Sequence, residues 1–221
     1  MELKEAMMGR RSIRGYSKKE VSKETLYEVL NLAKWAMSGE NCQPWEFVVV
    51  TGELLDEIKE SNIHALRNGL AEDRPFAAVP GGVYKERSRA IGKALLTKMK
   101  IAREDKEGRV WWNERGFRFF DAPAVIFILM DEDFDETAYR FDVGCVTQNI
   151  CLAACEYGLG TCVADQAIVY QKRIRELLHI PDRKNFVTGI AIGYPDVLFA
   201  ANRVVSDRAD LDCLTSWYGF E

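Results

Sequence analysis

The 221-residue sequence predicts a single α+β domain. Three observations predict it. Short apolar, β-rich runs recur at 47–50, 123–130, 161–164 and 186–194; segments with apolar residues at helical spacing separate them; and no repeat, low-complexity tract or linker divides the chain. The length fits one large domain or one subunit of an obligate dimer. Apolar residues make up 48%, so disorder throughout is excluded. Thirty Lys+Arg against 34 Asp+Glu leave a net charge of −4, a balance that argues against nucleic-acid binding.

The elements follow in order. Residues 2–9 read as a short amphipathic helix. A second helix starts at Ser22, an N-cap, with Val21 and Leu26 placed to form a hydrophobic staple; Leu26, Val29, Leu30, Ala33 and Ala36 keep helical spacing. Met37 to Cys42 breaks that helix, and Gln43-Pro44 prevents its resumption. Phe47–Val50 reads as a buried strand, 53–68 as a helix and 73–82 as a loop. The segment 84–107 reads as one polar helix, with nine Lys/Arg against four acids between Lys85 and Arg109. It is either a solvated face or a positive rim that attracts an anionic cosubstrate. Trp111, Trp112, Phe117, Phe119 and Phe120 are either core or the wall of a pocket for a planar substrate. Pro123–Met130 reads as a central strand buried on both faces. A long helix over 137–157 ends at Gly158. Thr161–Ala164 is a strand, 170–179 a charged amphipathic helix and Phe186–Tyr194 a strand. The tail from Pro195 holds Leu211, Leu214, Trp217, Tyr218 and Phe220 without periodicity, as a subunit arm would.

Six cysteines contain no CxxC spacing, and Cys151 and Cys155 lie one helical turn apart in an apolar stretch, where a thiol acts as a small hydrophobe. The two histidines, His64 and His179, have no metal-ligand spacing, so no metal is expected. No signal-peptide core and no run of 18 apolar residues occur, so neither export nor a membrane partner is expected; free thiols then suit a reducing cytoplasm. There is no GxxxxGK[ST] and no GxGxxG between a strand and a helix, which excludes the common phosphate loops. A bound phosphate would have to be held by side chains. Arg10-Arg11-Ser12-Ile13-Arg14 offers three forked guanidiniums and a hydroxyl in five residues, read either as an exposed basic cluster or as such a site.

Other short signatures accompany that cluster: Met37-Ser38-Gly39-Glu40-Asn41-Cys42-Gln43-Pro44-Trp45, Asp121-Ala122-Pro123-Ala124, Asp142-x-Gly144-x-x-x-Gln148-Asn149, Gly158-Leu159-Gly160-Thr161, Gly193-Tyr194-Pro195, and Arg203 eight residues later. In this order and spacing, over essentially the whole chain, the sequence resembles the FMN-dependent nitroreductase family. The resemblance implies a central, mainly antiparallel sheet flanked by helices, in an intertwined homodimer that exchanges C-terminal arms. It implies FMN as cofactor and NADH or NADPH as cosubstrate. Hydride would pass through flavin N5 to a nitroaromatic or quinone in ping-pong fashion, with no catalytic side chain required.

It also assigns residues. Arg10 would reach the FMN phosphate, Arg11 and Ser12 the phosphate or ribityl chain, and Arg14 the pyrimidine edge, where a fixed cation stabilises the charge of reduction. Met37, Ser38, Gly39 and Asn41 would approach the flavin of the other subunit. Val163, Ala164, Asp165 and Gln166 would lie behind the ring and supply a backbone N–H to N5, and Arg203 would close the phosphate site. Met37, Gly39 and Gln166 depart from the commoner family residues. Asp142 would either contact the flavin or favour the N-terminal end of its helix. Residues 73–109 lie where relatives that reductively dehalogenate aromatics or degrade flavin place a substrate lid, so those activities are the alternatives within the fold. A non-enzymatic flavin or thiol redox sensor is the alternative outside enzymology.

Overall fold

The run from Ala124 to Asp131 forms β2, and its apolar residues are buried on both faces of the sheet. That is the signature of a central strand. The computed structural model describes residues 1–75 and 77–220. Around β2 lie β1 (Glu46–Thr51), β3 (Gly160–Val163) and β4 (Lys184–Gly193) in the order β1-β2-β4-β3, every pairing antiparallel. The helices are α1 (Leu3–Gly9), α2 (Lys23–Ala33), α3 (Gly52–Arg67), α4 (Val83–Lys98), α5 (Lys106–Phe117), α6 (Glu136–Glu156) and α7 (Gln171–Leu178).

Alternation along the strands divides the core in two. Ile126, Ile128 and Met130 face α2 and α6 through Val29, Val146 and Ile150; Val125, Phe127 and Leu129 face α3 and α7 through Ile58 and Ile174. Lys184 of β4 joins the carboxylates of Glu46 on β1 and Asp131 on β2 at the sheet's end, the latter at 2.9 Å. Ser22 caps α2 by accepting from the Thr25 amide at 3.2 Å, and Val21 and Leu26 are both buried beside it.

The segment read as one helix over 84–107 is two helices. α4 stops at Lys98, where Lys100 adopts φ 60° and the amides of Lys100 and Ile101 bond back to Thr97 O and Leu96 O. This is a Schellman termination with lysine in the place that glycine usually takes. Asp105 then opens α5 by accepting from the Gly108 amide at 2.8 Å. The aromatic run divides accordingly: Phe117 and Phe119 are core, Phe120 is half-buried and Trp111 is exposed. α6 ends as the sequence predicts, at left-handed Gly158.

Candidate active site

Residues 10–16 leave α1 extended and lie against the sheet. Ser12 bridges Thr161 in parallel, the Ile13 amide donates to Thr161 O at 2.9 Å, and Ile13 and Gly15 point into the protein. Alternation therefore turns Ser12 and Arg14 outward, alongside the strand that ends at Val163. Gly15 is required by packing, because a Cβ there would overlap the Phe199 ring. Both backbone polar groups of Arg14 are held by distant side chains. Its N–H donates to Asn202 Oδ1 at 2.7 Å, and its carbonyl accepts from Arg115 Nη2 at 2.8 Å.

Above this strip is a cavity of about 330 Å³. Its polar wall is Arg10, Arg11, Ser12, Arg14, Ser206 and Arg208, and its apolar wall includes Met7, Ile91 and Val204. No carboxylate lines it, and among the described residues none of the four arginines forms an ion pair. Four uncompensated guanidiniums fit a dianion with hydrogen-bond acceptors, as a phosphate monoester is. A larger groove of about 560 Å³ along α3 lacks this character: its cations Lys59, Arg67 and Arg118 are each paired with Asp56, Glu114 or Asp121.

The end of β3 borders a small recess of about 150 Å³ formed by Gly116, Phe120, Val163, Ala164, Asp165 and Gln166. The Arg14 guanidinium, in the wall of the arginine cavity, lies 5.8 Å from the centre of the Phe120 ring in the wall of this recess, so the two are neighbours. The Ala164 amide donates to Gly189 O at 2.8 Å and is committed to the sheet. The amides of Asp165 and Gln166 open a 3-10 turn and have no acceptor among the described residues. The Asp165 carboxylate accepts from Thr188 Oγ1 at 2.6 Å. Gln166 Nε2 donates to Asn113 O and Oδ1 at 3.2 and 3.0 Å. The side chain that replaces the commoner glycine is thus folded onto α5, leaving the backbone free.

Met37, Ser38, Gly39 and Asn41 do not join these residues within one chain. Met37 lines a separate groove with Trp35, Phe141, Gly144, Cys145 and Gln148 on the outer face of α6. The neighbouring loop is tightly held: Ser38 Oγ accepts from the Gln43 amide at 3.0 Å, while Glu40, Asn41 and Gln43 take φ of 51°, 59° and 49°. Asp142 is resolved by this loop. It sits inside α6, which starts at Glu136 behind the N-cap Asp135, and its buried carboxylate accepts from the Gly39 amide at 3.1 Å. It neither begins its helix nor faces the arginine cavity.

Arg203 is not in the cavity wall. It is exposed, with Nη2 donating to Leu198 O at 3.1 Å, and Arg208, five residues on, lines the cavity instead. Burial raises the Cys162 thiol to about 11 and raises the Cys151 and Cys155 thiols. Buried thiols held protonated are poor redox sensors.

The nitroreductase family model matches residues 7–194. The chain belongs to the nitroreductase family. It is 32% identical over 212 residues to the nitrobenzene nitroreductase of Ectopseudomonas oleovorans, covering 94% of this chain and 93% of that one. Its fold matches that of an FMN- and NADPH-dependent nitroreductase, NfnB, from Sphigopyxis sp. strain HMH with a TM-score of 0.93, 28% identity and full coverage of both chains. It matches the FMN-dependent nitroreductase NfnB of Mycobacterium smegmatis, solved in complex with NADPH, with a TM-score of 0.90, 28% identity and 97% of each chain. Within this nitroreductase-family chain, sequence reasoning missed Arg208, Asn202 and Arg115 as site residues. Asn202 directly precedes Arg203, and Phe120 belongs to the aromatic run read as core or pocket wall, but only the fold aims them at Arg14.

Proposed function

We propose that this protein is an FMN-dependent nitroreductase that takes hydride from NADPH or NADH and reduces nitroaromatic compounds, with quinones as further acceptors. One observation carries the reading: four arginines without ion-pair partners gather in a carboxylate-free cavity, and Arg14 meets Phe120 of the neighbouring recess, where backbone amides at the end of β3 are free. The names of its relatives agree with that chemistry.

When bound, FMN supplies the hydride chemistry of the reaction. Arg10, Arg11 and Arg208 would neutralise its phosphate, and Ser12 would donate to the phosphate or to the ribityl chain. Arg14 would present a cation to the pyrimidine edge, where a charge set before reduction acts most effectively. The amide of Asp165 or Gln166 would be the donor to N5, with Val163 and Ala164 lining the site behind the ring.

The site is completed by a second copy of the chain. α6 packs inward through Val146 and Ile150, yet on its outer face Phe141 is 67% exposed beside Trp35 at 82% and Met37 at 66%. Large apolar side chains clustered in an exposed groove mark a surface that a partner covers. The exposed tail residues Leu211, Leu214, Trp217, Tyr218 and Phe220 need a surface as well, and a partner subunit supplies one. Met37, Ser38, Gly39 and Asn41 then reach the partner's ring. None of the described helices is long and apolar enough to cross a membrane, and all six cysteines are free, which suits a reducing compartment such as the cytoplasm.

The test is a visible spectrum of the purified protein before and after anaerobic NADPH, with sedimentation to count subunits. A flavin spectrum that bleaches on NADPH and returns on a nitroaromatic is expected. A protein that stays colourless after incubation with FMN refutes the reading.

A further inference from the structure

We propose that Arg115 is a positioning residue for the ring-facing half of the site, setting Arg14 and Phe120 relative to each other. The inference rests on the flavin reading above. Arg115 projects from the last turn of α5 and is buried. Its Nη1 pairs with Asp121 Oδ2 at 2.5 Å, and its Nη2 donates to Arg14 O at 2.8 Å and to Phe120 O at 3.0 Å. The guanidinium carbon lies 5.2 Å from the centre of the Trp111 ring and 4.7 Å from that of Phe199. One planar group thereby ties together the arginine strip, α5, the loop before β2 and the turn after β4.

Packing alone does not explain an arginine here. Burial pulls its guanidinium below the ordinary range, with Asp121 opposing that shift, and its Nε is buried without a partner. An apolar side chain of similar volume would fill the same space without desolvating a charge. Only a fork of donors can span a carboxylate and two carbonyls on two segments. Both segments need holding. Phe119, Phe120 and Asp121 all lie in the left-handed region, at φ 53°, 56° and 59°, which non-glycine residues adopt at a cost. Arg115 grips this loop at the Phe120 carbonyl and the Asp121 carboxylate, and Arg118 Nε takes the other Asp121 oxygen at 2.7 Å. Asn202 fixes the Arg14 amide while Arg115 fixes its carbonyl, so the backbone that carries the cation over Phe120 has little freedom, and the guanidinium itself donates to Ser12 O at 3.2 Å.

Arg115 therefore acts on the ring and not on the phosphate, and the variants R115M and R115K separate the two. Folding is checked by circular dichroism and melting. Binding of FMN and of riboflavin, which lacks the phosphate, is read by fluorescence quenching, and the midpoint potential of the bound FMN by dye equilibration. The expectation is that FMN and riboflavin affinities fall by the same factor, about five- to tenfold, in both variants. Affinity for reduced FMN should fall about tenfold further than that for oxidised FMN, which lowers the potential by about 30 mV. A merely structural residue would lower the melting temperature and leave the potential of the bound flavin unchanged. If R115M does not fold, R115K decides, since an ammonium keeps the charge but not the fork. A folded R115K with wild-type potential and riboflavin affinity overturns the proposal, as does a loss confined to FMN. Failure of the wild-type protein to bind either flavin would instead sink the function itself.

Discussion

Replacing Arg208 with alanine tests which C-terminal arginine closes the anion cavity. Arg208 is in the wall and Arg203 is not. A charge-assisted hydrogen bond contributes about 1.5–3 kcal/mol. Arg208 is exposed, and its Nη1 is already engaged with Ser206 O, Ser206 Oγ and Asp207 O at 3.0, 2.8 and 3.0 Å. That leaves Nη2 and Nε for a ligand, and solvent screening lowers the expected contribution to about 1–2 kcal/mol. FMN should therefore bind about 5- to 30-fold more weakly to R208A. Riboflavin has no phosphate, so its affinity should not change, and R203A should bind FMN as the wild type does. Fluorescence quenching of both flavins at low and high salt measures this, and the FMN deficit should shrink as salt screens the contact. Equal FMN losses in R203A and R208A, or a riboflavin loss matching that of FMN in R208A, would refute the assignment.

Three further outcomes follow from the same structure. With its pKa raised from 9.0 to about 11, Cys162 should alkylate slowly at pH 8, and peptide mapping after iodoacetamide treatment should show this. Its thiolate fraction there is about a hundredfold below that of a thiol of ordinary pKa. Asp131 is held below the usual carboxylate range, chiefly by its hydrogen bond from Lys184 and then by the Asp133 amide. Its contribution is complete above the unfolded carboxyl's pKa of about 4 and is lost as pH falls through the lower folded value. Urea midpoints of wild type and D131N should thus differ most near pH 7 and converge toward pH 3. Finally, K100G should stabilise the protein by about 0.5 kcal/mol in urea melts, because relief of the left-handed lysine outweighs the entropy of glycine; a loss of stability would show that Lys100 is not strained.

The legible parts of the fold were those whose cause is local. β2 could be read because seven consecutive residues, Ala124 to Met130, carry its burial, and the end of α6 because Gly158 takes the left-handed cap. The break between α4 and α5 was hidden because Lys100 performs the same turn without glycine's signature. The arginine strip was legible for its composition and for the family resemblance, while its pairing with Thr161 is set by the fold. Arg208 was not, since the turn at Ala200–Arg203 sends the chain across the cavity and carries Arg203 past it. Arg115 and Asn202 carry no motif at all. Their roles come from bonds to residues about 100 and 188 positions away, which no local pattern encodes.

The distribution of backbone strain supports placing the site where the arginines do. Among the described residues, eight other than glycine have positive φ: Glu40, Asn41, Gln43, Lys100, Phe119, Phe120, Asp121 and His179. Lys100 and His179 are explained as helix terminations, each followed by an amide that bonds back into the last turn. The other six fall in two loops, and each loop is pinned by an ionisable side chain from elsewhere: Asp142 on Gly39, and Arg115 with Arg118 on Asp121. Neither strain nor buried charge is needed to complete the core, which closes through Ile, Val and Phe. One loop borders the recess beside Arg14, and the other borders the apolar groove of α6. If two copies join across that groove, the loop at 39–43 of one chain would meet the arginines and the loop at 119–121 of the other in a single seam. Preorganised backbone is useful there, because amides and carbonyls that are already fixed need not reorganise when the charge on a bound ring changes.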